Sequence, residues 1–566
     1  MKRKTVSIIL STVLVSSLVT PITGNAANGP TIENHHKKNP HQSSQQAHPN
    51  FTWNNPGPSS PVLHPGSIRG AGLRKEPLQD IDTMIRNAID DQVMPGAVAL
   101  VARRGQVVKH DAYGYAAKYK NNEFTELEHP QQMEKNTVFD LASISKLFTT
   151  TAAMTLYEEG KFELDDPVAK YIPEFATNGK ENVTIEQLMT HTSGFKPWIP
   201  LYTIEGDRED RLQHVYKQPL QSEPGKEYTY SDLNMITLGA LVEEWSGMRL
   251  DQYVEKAITK PLGMKETMYN PPSSLKDRIA ATEYQPWTDR GLVWGEVHDE
   301  NAWSLNGVAG HAGVFSTASD LATFAHMFVM DGRYGGERIL EPETVDLLTE
   351  NRIPEFPGDD HGLGWELQQD WFMDGLSESN TLGHTGYTGT SIVVSPTNKT
   401  VAILLTNRVH PTRNTVSTSP TRRKFARNVA DSIPVSIPNK GEAWFSGYGN
   451  NETKHLTAEI NVDQNATLTF DTWYRIEPEA DVGKIEISSN GTDWTQLDQT
   501  FTGTSGDWDS IKVALPKDTS HLRFTYETDY SVNRRGWYIH QPELVTEQGN
   551  TTPLHLNSEK WTKRSY

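Results

Sequence analysis

Three short stretches hold the residue types that nucleophilic chemistry needs. The first is Phe139-Asp140-Leu141-Ala142-Ser143-Ile144-Ser145-Lys146. A helix beginning at Ser143 puts Ser143 and Lys146 on one face, a turn apart. A serine hydroxyl becomes a useful nucleophile when a base takes its proton. A lysine can help if a dry, cationic setting lowers its pKa from about 10.4. The helix N-terminus also favours negative charge developing on the serine oxygen. The spacing alone is a weak signal, since about two copies are expected by chance in a chain of this size and composition. Ser273-x-x-Lys276 is such a copy, in a Pro-Pro-Ser-Ser loop with no apolar helix behind it. Ser143 differs, because Leu147, Phe148, Ala152, Ala153 and Leu156 follow as a buried helix face.

The second stretch is Pro224-Gly225-x-x-Tyr228-x-Tyr230-Ser231-Asp232-Leu233-Asn234, at the head of an apolar helix through Met235, Leu238, Leu241 and Val242. A phenol held near cations can shuttle protons. The third is Gly383-His384-Thr385-Gly386-Tyr387-Thr388-Gly389-Thr390, which runs into a strand at Ile392. Glycines let backbone approach a substrate closely, and free N–H groups on such an edge can bind an oxyanion.

These stretches need a scaffold. Residues 78–89 have helical periodicity, residues 97–102 read as a buried strand, Arg104-Gly105 as a turn and residues 106–108 as the returning strand. Most of residues 143–350 reads as helices and loops. Strands return at residues 392–394 and 401–405, and residues 422–433 read as a closing helix. A helix feeding an antiparallel hairpin argues for an α/β layer. After Pro434 the composition shifts to short alternating strands, such as residues 468–474 and 522–526, separated by turn residues, which predicts an all-β sandwich.

The expected organisation is a signal peptide (residues 1–27), a disordered His/Pro/Gln-rich linker (28–72), a hydrolase domain (73–434) and a β-sandwich accessory domain (435–566). Lys2, Arg3 and Lys4 precede an apolar stretch too short to span a bilayer, with small residues for cleavage after Ala26 or Ala27. The alternative is an uncleaved anchor. His35, His36, His41 and His48 fit a solvated tether better than a metal site. The 566-residue chain carries a net charge of −19, which argues against nucleic acid as a partner. It has no cysteine, so disulfide, thiolate and zinc–thiolate chemistry are excluded.

Together, in this order, the three stretches resemble the serine β-lactamase and penicillin-binding-protein superfamily, within it the class C β-lactamase-like group. Leu188-Met189-Thr190-His191-Thr192-Ser193-Gly194-Phe195 and Leu164-Asp165-Asp166-Pro167-Val168 add to the likeness, which covers about residues 75–432. The resemblance implies an antiparallel sheet flanked by helices plus a helical subdomain. It makes Ser143 the nucleophile of an acyl-enzyme and gives Lys146 and Tyr230 the proton transfers, with the choice of base between them open. It places His384, Thr385 and Gly386 on the strand edge facing substrate and gives the oxyanion hole to the N–H groups of Ser143 and Tyr387. Two departures matter. His384 stands where many relatives have lysine and is expected to be only partly charged near neutral pH. Asp232 stands where many have asparagine and adds negative charge. Both favour an amide or ester other than penicillin.

Gly295-Glu296-Val297-His298-Asp299-Glu300-Asn301-Ala302, residues 307–316 of the Gly-Val-Ala-Gly-His-Ala-Gly-Val-Phe-Ser run, and Leu405-Thr406-Asn407-Arg408-Val409-His410-Pro411 look like the secreted N-acetylmuramoyl-L-alanine amidases of muropeptide recycling. His298, Asp299, His311 and Arg408 are then expected to line the cleft, against the alternative that the glycine-rich run only buttresses it. No metal or other cofactor is called for. The expected substrate is a muropeptide, cut at the muramoyl–alanine amide. A D-alanyl carboxypeptidase, weak β-lactamase or esterase is the alternative, and a non-catalytic wall-binding protein the rival from another class. The sandwich is a candidate for cell-wall glycan. Trp473, Trp494 and Trp508 could stack on sugars, although such tryptophans are more often core. The protein is expected outside the cell, without stable membrane insertion after signal cleavage.

Overall fold

Alternation along one strand decides where the two layers of the hydrolase domain pack. In Gly96–Arg103 every residue is buried, as expected for a strand covered on both faces. Val98, Leu100 and Ala102 point into one core, while Ala97, Ala99 and Val101 point into another. The second core receives Leu78, Ile81 and Ile85 from the helix Lys75–Asp90, and Phe425 and Val429 from the closing helix Ser419–Ser432. The first receives the helix Ala318–Val329 and the helical subdomain built on Ser145–Glu158 and Asp232–Ser246. Each fully buried Leu or Ile here is worth about 1.5–3 kcal/mol over exposure.

The sheet runs, in order, His64–Pro65, Gln106–Tyr119, Gly96–Arg103, Thr400–Thr406, Ser391–Ser395, Leu382–Thr385 and Glu366–Leu367, with Glu126–Gln132 added to Gln106–Tyr119. All pairs are antiparallel except the first. The computed structural model describes residues 57–566. The expected signal peptide and residues 28–56, with His35, His36, His41 and His48, lie outside the described residues. No helix among the described residues is long and apolar enough to cross a membrane.

Two boundaries differ from the sequence reading. Residues 57–72 are not a linker: Ser60 N–H donates to the Arg104 carbonyl, His64 N–H to Gly105, and Arg103 clamps the carbonyls of Ala71 and Gly72. These partners are main-chain groups, which leave no mark in side-chain composition. The strand read at residues 106–108 continues to Tyr119, because Lys109 is satisfied by Asp82 at 2.7 Å and Asp111 at 3.1 Å, so polar residues hide its continuation.

The C-terminal strands form two sheets, as expected of a sandwich. One orders Asp509–Leu515, Ala466–Arg475, Gly536–Thr546, Ala443–Phe445 and Thr562–Arg564; the other orders Thr453–Glu459, His521–Glu527, Val482–Ser488 and Thr495–Phe501. Leu468, Phe470, Phe524 and Trp537 pack between them. Trp473 is buried and Trp508 packs partly against the same small core, while the guanidinium of Arg523 lies 4.1 Å over the Trp494 ring. Trp473 is thus a core residue, while Trp494 and Trp508 are partly exposed. The seam with the hydrolase domain is ionic. Arg534 pairs with Asp370 at 2.6 Å, Arg564 with Asp431 at 2.7 Å and Arg475 with Glu378, and the Arg74 guanidinium lies 3.4 Å over the Tyr566 ring.

Candidate active site

The turn that carries Ser143 is tighter than an α-helical start. Residues Ala142–Ile144 form a 3-10 turn, Ala142 takes a left-handed φ of 48°, and the α-helix begins only at Ser145. Asp140 supports this strained turn by accepting from Ala142 N–H at 2.8 Å and from His298 N–H at 2.6 Å. Thr388 and Thr390 donate to the carbonyls of Asp140 and Leu141, lashing the turn to the strand edge beyond His384. Gly386 is needed at that contact, since a β-carbon there would lie 2.4 Å from the Leu141 carbonyl oxygen.

Lys146 Nζ lies 2.9 Å from Ser143 Oγ, 2.9 Å from Asp232 Oδ1 and 3.3 Å from the His311 carbonyl oxygen. An ammonium has three hydrogens, and these three acceptors take them all. The Tyr230 ring centre is 4.8 Å from the same nitrogen. Lys146 is 1% exposed. Burial pushes its pKa down, but the Asp232 carboxylate and Tyr230 outweigh burial and leave it above the ordinary lysine value. The sequence expectation of a lowered lysine pKa is therefore reversed: the setting is dry but not cationic. Burial raises the Tyr230 phenol as well, against the opposing charge of Lys146. At neutral pH the site thus holds an ammonium and a neutral phenol.

Tyr230 is held from below by neutral imidazole. His191 Nδ1 accepts from Ser231 N–H at 3.1 Å, and its ring centre is 4.7 Å from that of Tyr230. Burial pushes His191 well below its usual pKa, His361 to about 4 and His384 to about 3. His384 is consequently uncharged near neutral pH, a second correction to the sequence reading; burial is the first cause and the Lys146 charge the next.

Strand pairing opens the cleft. Glu366–Leu367 reaches Leu382 and Gly383 and no further along that strand, so among the described residues no strand pairs with residues 384–386 on that side. A cavity of about 390 Å³ lies there. Its walls include Ser143, Tyr230, Glu366, His384, Thr385 and Gly386, with Tyr387, Arg408 and Arg422 further along the edge. The structure thus gathers Ser143, Lys146, Tyr230, Asp232, the 384–387 edge and Arg408. The Tyr387 side chain is 52% exposed at the rim.

Asp299 and His311 lie beside Lys146 and Asp232, and His298 lies beneath the Tyr387 ring. His298 is 3% exposed, bonds Glu283 at 2.9 Å and stacks under Tyr387. Asp299 accepts from Ala302 N–H at the head of the short helix Glu300–Ser304 and pairs with His311 at 2.7 Å. The loop bearing His311 is wedged against the Tyr230-side helix, where a β-carbon on Gly310 would sit 1.9 Å from the Met235 carbonyl oxygen. These contacts show the glycine-rich run buttressing the site, with Asp299 and His311 adjoining Asp232 and Lys146. Asp232, Asp299 and His311 offer ligand-type atoms within 4.8 Å of one another, yet Lys146 already neutralises Asp232, and His311 already pairs with Asp299.

Sequence reasoning missed Glu366 and Arg422. Arg422 donates to the carbonyls of Gly386 and Thr390, at 2.9 and 3.0 Å, and so holds the far end of the edge. A readable signal for Glu366 existed: it is the lone charge in Leu363-Gly364-Trp365-Glu366-Leu367.

Comparison with known proteins places the chain in a family and a fold. The Beta-lactamase family matches residues 81–427, more than half of the chain. Proteins of Salmonella schwarzengrund and Salmonella typhi, both named "Putative D-alanyl-D-alanine carboxypeptidase", are 36% identical over 381 residues, covering 62% of this chain and 87% of theirs. A class C β-lactamase structure superposes with a TM-score of 0.52 at 20% identity, covering 64% of this chain and 98% of its own. A penicillin-binding-protein homologue from Caulobacter crescentus gives 0.50 at 20% identity, covering 64% and 99%. At that identity the two structures speak for the fold alone. The chain belongs to the β-lactamase family of serine hydrolases.

Proposed function

We propose that this protein is a secreted acyl-enzyme hydrolase of cell-wall-derived muropeptides that cleaves the N-acetylmuramoyl–L-alanine amide. The observation that carries the reading is Ser143 Oγ at 2.9 Å from Lys146 Nζ, in a cavity that also holds Tyr230 and an open strand edge. In this reading Ser143 Oγ attacks the amide carbonyl. Lys146 Nζ first gives a proton to the Asp232 carboxylate, and the lone pair so freed takes the Ser143 proton, which restores the ammonium and leaves Asp232 protonated. The oxyanion meets the N–H groups of Ser143 and Tyr387. The Tyr230 phenol protonates the leaving nitrogen, and the resulting phenolate is stabilised by Lys146. Water then gives its proton back to Tyr230 and opens the acyl-enzyme, while Ser143 recovers its proton through Lys146 and Asp232.

The choice of bond rests on the likeness of the residue 295–316 and 405–411 stretches to muramoyl amidases, and on the uncharged His384, which offers no cation to a terminal carboxylate. A second reading, D-alanyl carboxypeptidase, is favoured by the names of the Salmonella relatives. Placement outside the cell rests on residues 1–27, and contact of the sandwich with wall glycan belongs to the same proposal. The test is mass spectrometry of products from a muramoyl-peptide, a peptide ending in D-alanyl-D-alanine and a penicillin. Free peptide and intact muramic acid support the amidase. Release of D-alanine, or an opened lactam alone, replaces it with the second reading.

A further inference from the structure

The cleft contains two hydrogen-bond acceptors that the mechanism above does not use. The first is on His384. Its Nδ1 lies 2.8 Å from the Thr385 carbonyl oxygen, and a carbonyl only accepts, so Nδ1 carries the hydrogen and Nε2 the lone pair. That Nε2 is buried without a hydrogen-bond partner. The second is on Glu366, whose Oε2 is likewise buried and unpartnered. Buried polar atoms are nearly always satisfied, so two orphans on the wall of one cavity call for a ligand. Both residues line the cavity that holds Ser143 and Tyr230, and the two atoms themselves are closed to solvent in its wall.

Position says which part of the substrate they meet. The leaving nitrogen must reach the Tyr230 phenol to be protonated, and the Tyr230 and His384 ring centres are 6.1 Å apart. The substituents of that nitrogen therefore fill the space bounded by Tyr230, His384 and Glu366. Glu366 sits at the Gly383 end of the open edge, and Arg422 at the Gly386 end, about 10 Å away by strand rise. The Lys146 ammonium at the Tyr230 end already gives its three hydrogens to Ser143, Asp232 and the His311 carbonyl, so what that end offers a leaving group is acceptors.

We propose that Glu366 and His384 Nε2 form a leaving-group subsite that takes hydrogen bonds from an N–H of the departing chain and rejects a free carboxylate there, so that the enzyme releases continuing peptides or amides in preference to a terminal amino acid. This rests on Ser143 and Tyr230 acting as described under the proposed function, and it separates the muropeptide amidase from a carboxypeptidase by the chemistry of the leaving side. Burial pushes the Glu366 carboxyl up to about 7, with Lys146 and Arg422 opposing. Glu366 also acts on the phenols of Tyr228 and Tyr230, and His361 pairs with it across a bridge. Above that pH Glu366 is an acceptor only, so rejection of carboxylate sharpens with alkalinity.

The experiment compares matched leaving groups, muramoyl-L-alanine against muramoyl-L-alaninamide, and the acetyl-D-alanyl-D-alanine acid against its amide. The expected kcat/KM favours the amide about tenfold or more at pH 8 and less at pH 6. Glu366→Gln is expected to cut the ratio to about threefold or less by improving the acid, and His384→Lys to favour the acid outright. A ratio of one or below in the wild type, or a ratio unchanged in both variants, overturns the proposal. An inert muramoyl pair beside a cleaved alanyl pair overturns only the muramoyl assignment, because the acid-to-amide ratio is still read on the second pair. If neither pair is cut, both fall.

Discussion

The seam between the two domains and the cleft at Ser143 are both rich in buried charge, and they treat it in opposite ways. At the seam Arg534 pairs with Asp370, Arg564 with Asp431 and Arg427 with an Asp374 that has no exposure at all, while Arg535 is held by the Ile433 carbonyl. Asp374 also faces the Asn533 N–H at 3.5 Å. In the cleft one ion pair, Lys146–Asp232, stands beside a neutral imidazole and a carboxyl whose buried atoms have no partner. Saturated charge fixes geometry, and unsaturated charge waits for a ligand. The difference therefore sorts the molecule into a part built to hold and a part built to bind.

The comparison can be broken from either side. Ser143→Ala in the cleft should lower kcat by about 10⁴-fold or more while the melting temperature stays within about 2 °C, read by product formation and calorimetry. Unchanged turnover would remove the cleft from the chemistry. Asp374→Ala at the seam should do the reverse. It strands the Arg427 guanidinium and should cost about 3–5 kcal/mol in denaturant unfolding, with kcat of the folded fraction retained. A loss of kcat without loss of stability would erase the distinction.

A smaller effect sharpens it by pH. His361, His384 and His410 have folded pKa values near 4, 3 and 4, below the usual 6.5. Their contribution to hydrolase stability is complete above about pH 6.5 and is lost as the pH falls toward those values. In the sandwich, burial and repulsion from Asp529 raise Glu477 to about 8 and Asp481 to about 6. The folded sandwich then binds more protons than the unfolded chain, so this stability is present at acid pH and is lost as the pH rises through about 6 to 8. Hydrogen exchange followed by mass spectrometry at pH 5 and pH 9 should show the hydrolase domain loosening first in acid and the sandwich first in alkali. The same order at both values would contradict the assignment.

Much of this was legible in the chain where the cause is local. Residues 97–102 and 401–405 read as strands because fully covered strands are continuous apolar runs, and the Ser143 helix announced itself through its buried face. The cleft's chemical character was not legible, because it depends on groups brought together from far along the chain. Asp232 reverses the pKa shift expected for Lys146, and burial under the helical subdomain removes the charge from His384. Glu366 acquires its place only by pairing with Gly383. Residues 57–72 read as a linker for a related reason, since their partners are backbone carbonyls.

The central claim is that Lys146 makes Ser143 reactive. Its most direct test is the rate at which a fluorophosphonate labels the protein, with the labelled peptide identified by mass spectrometry. The account predicts labelling on the peptide that holds Ser143, loss of labelling in Ser143→Ala, and labelling slowed about 100-fold or more in a folded Lys146→Ala, with no rescue by Lys146→Arg. Equal labelling rates in wild type and Lys146→Ala, or a label on another serine, would contradict it.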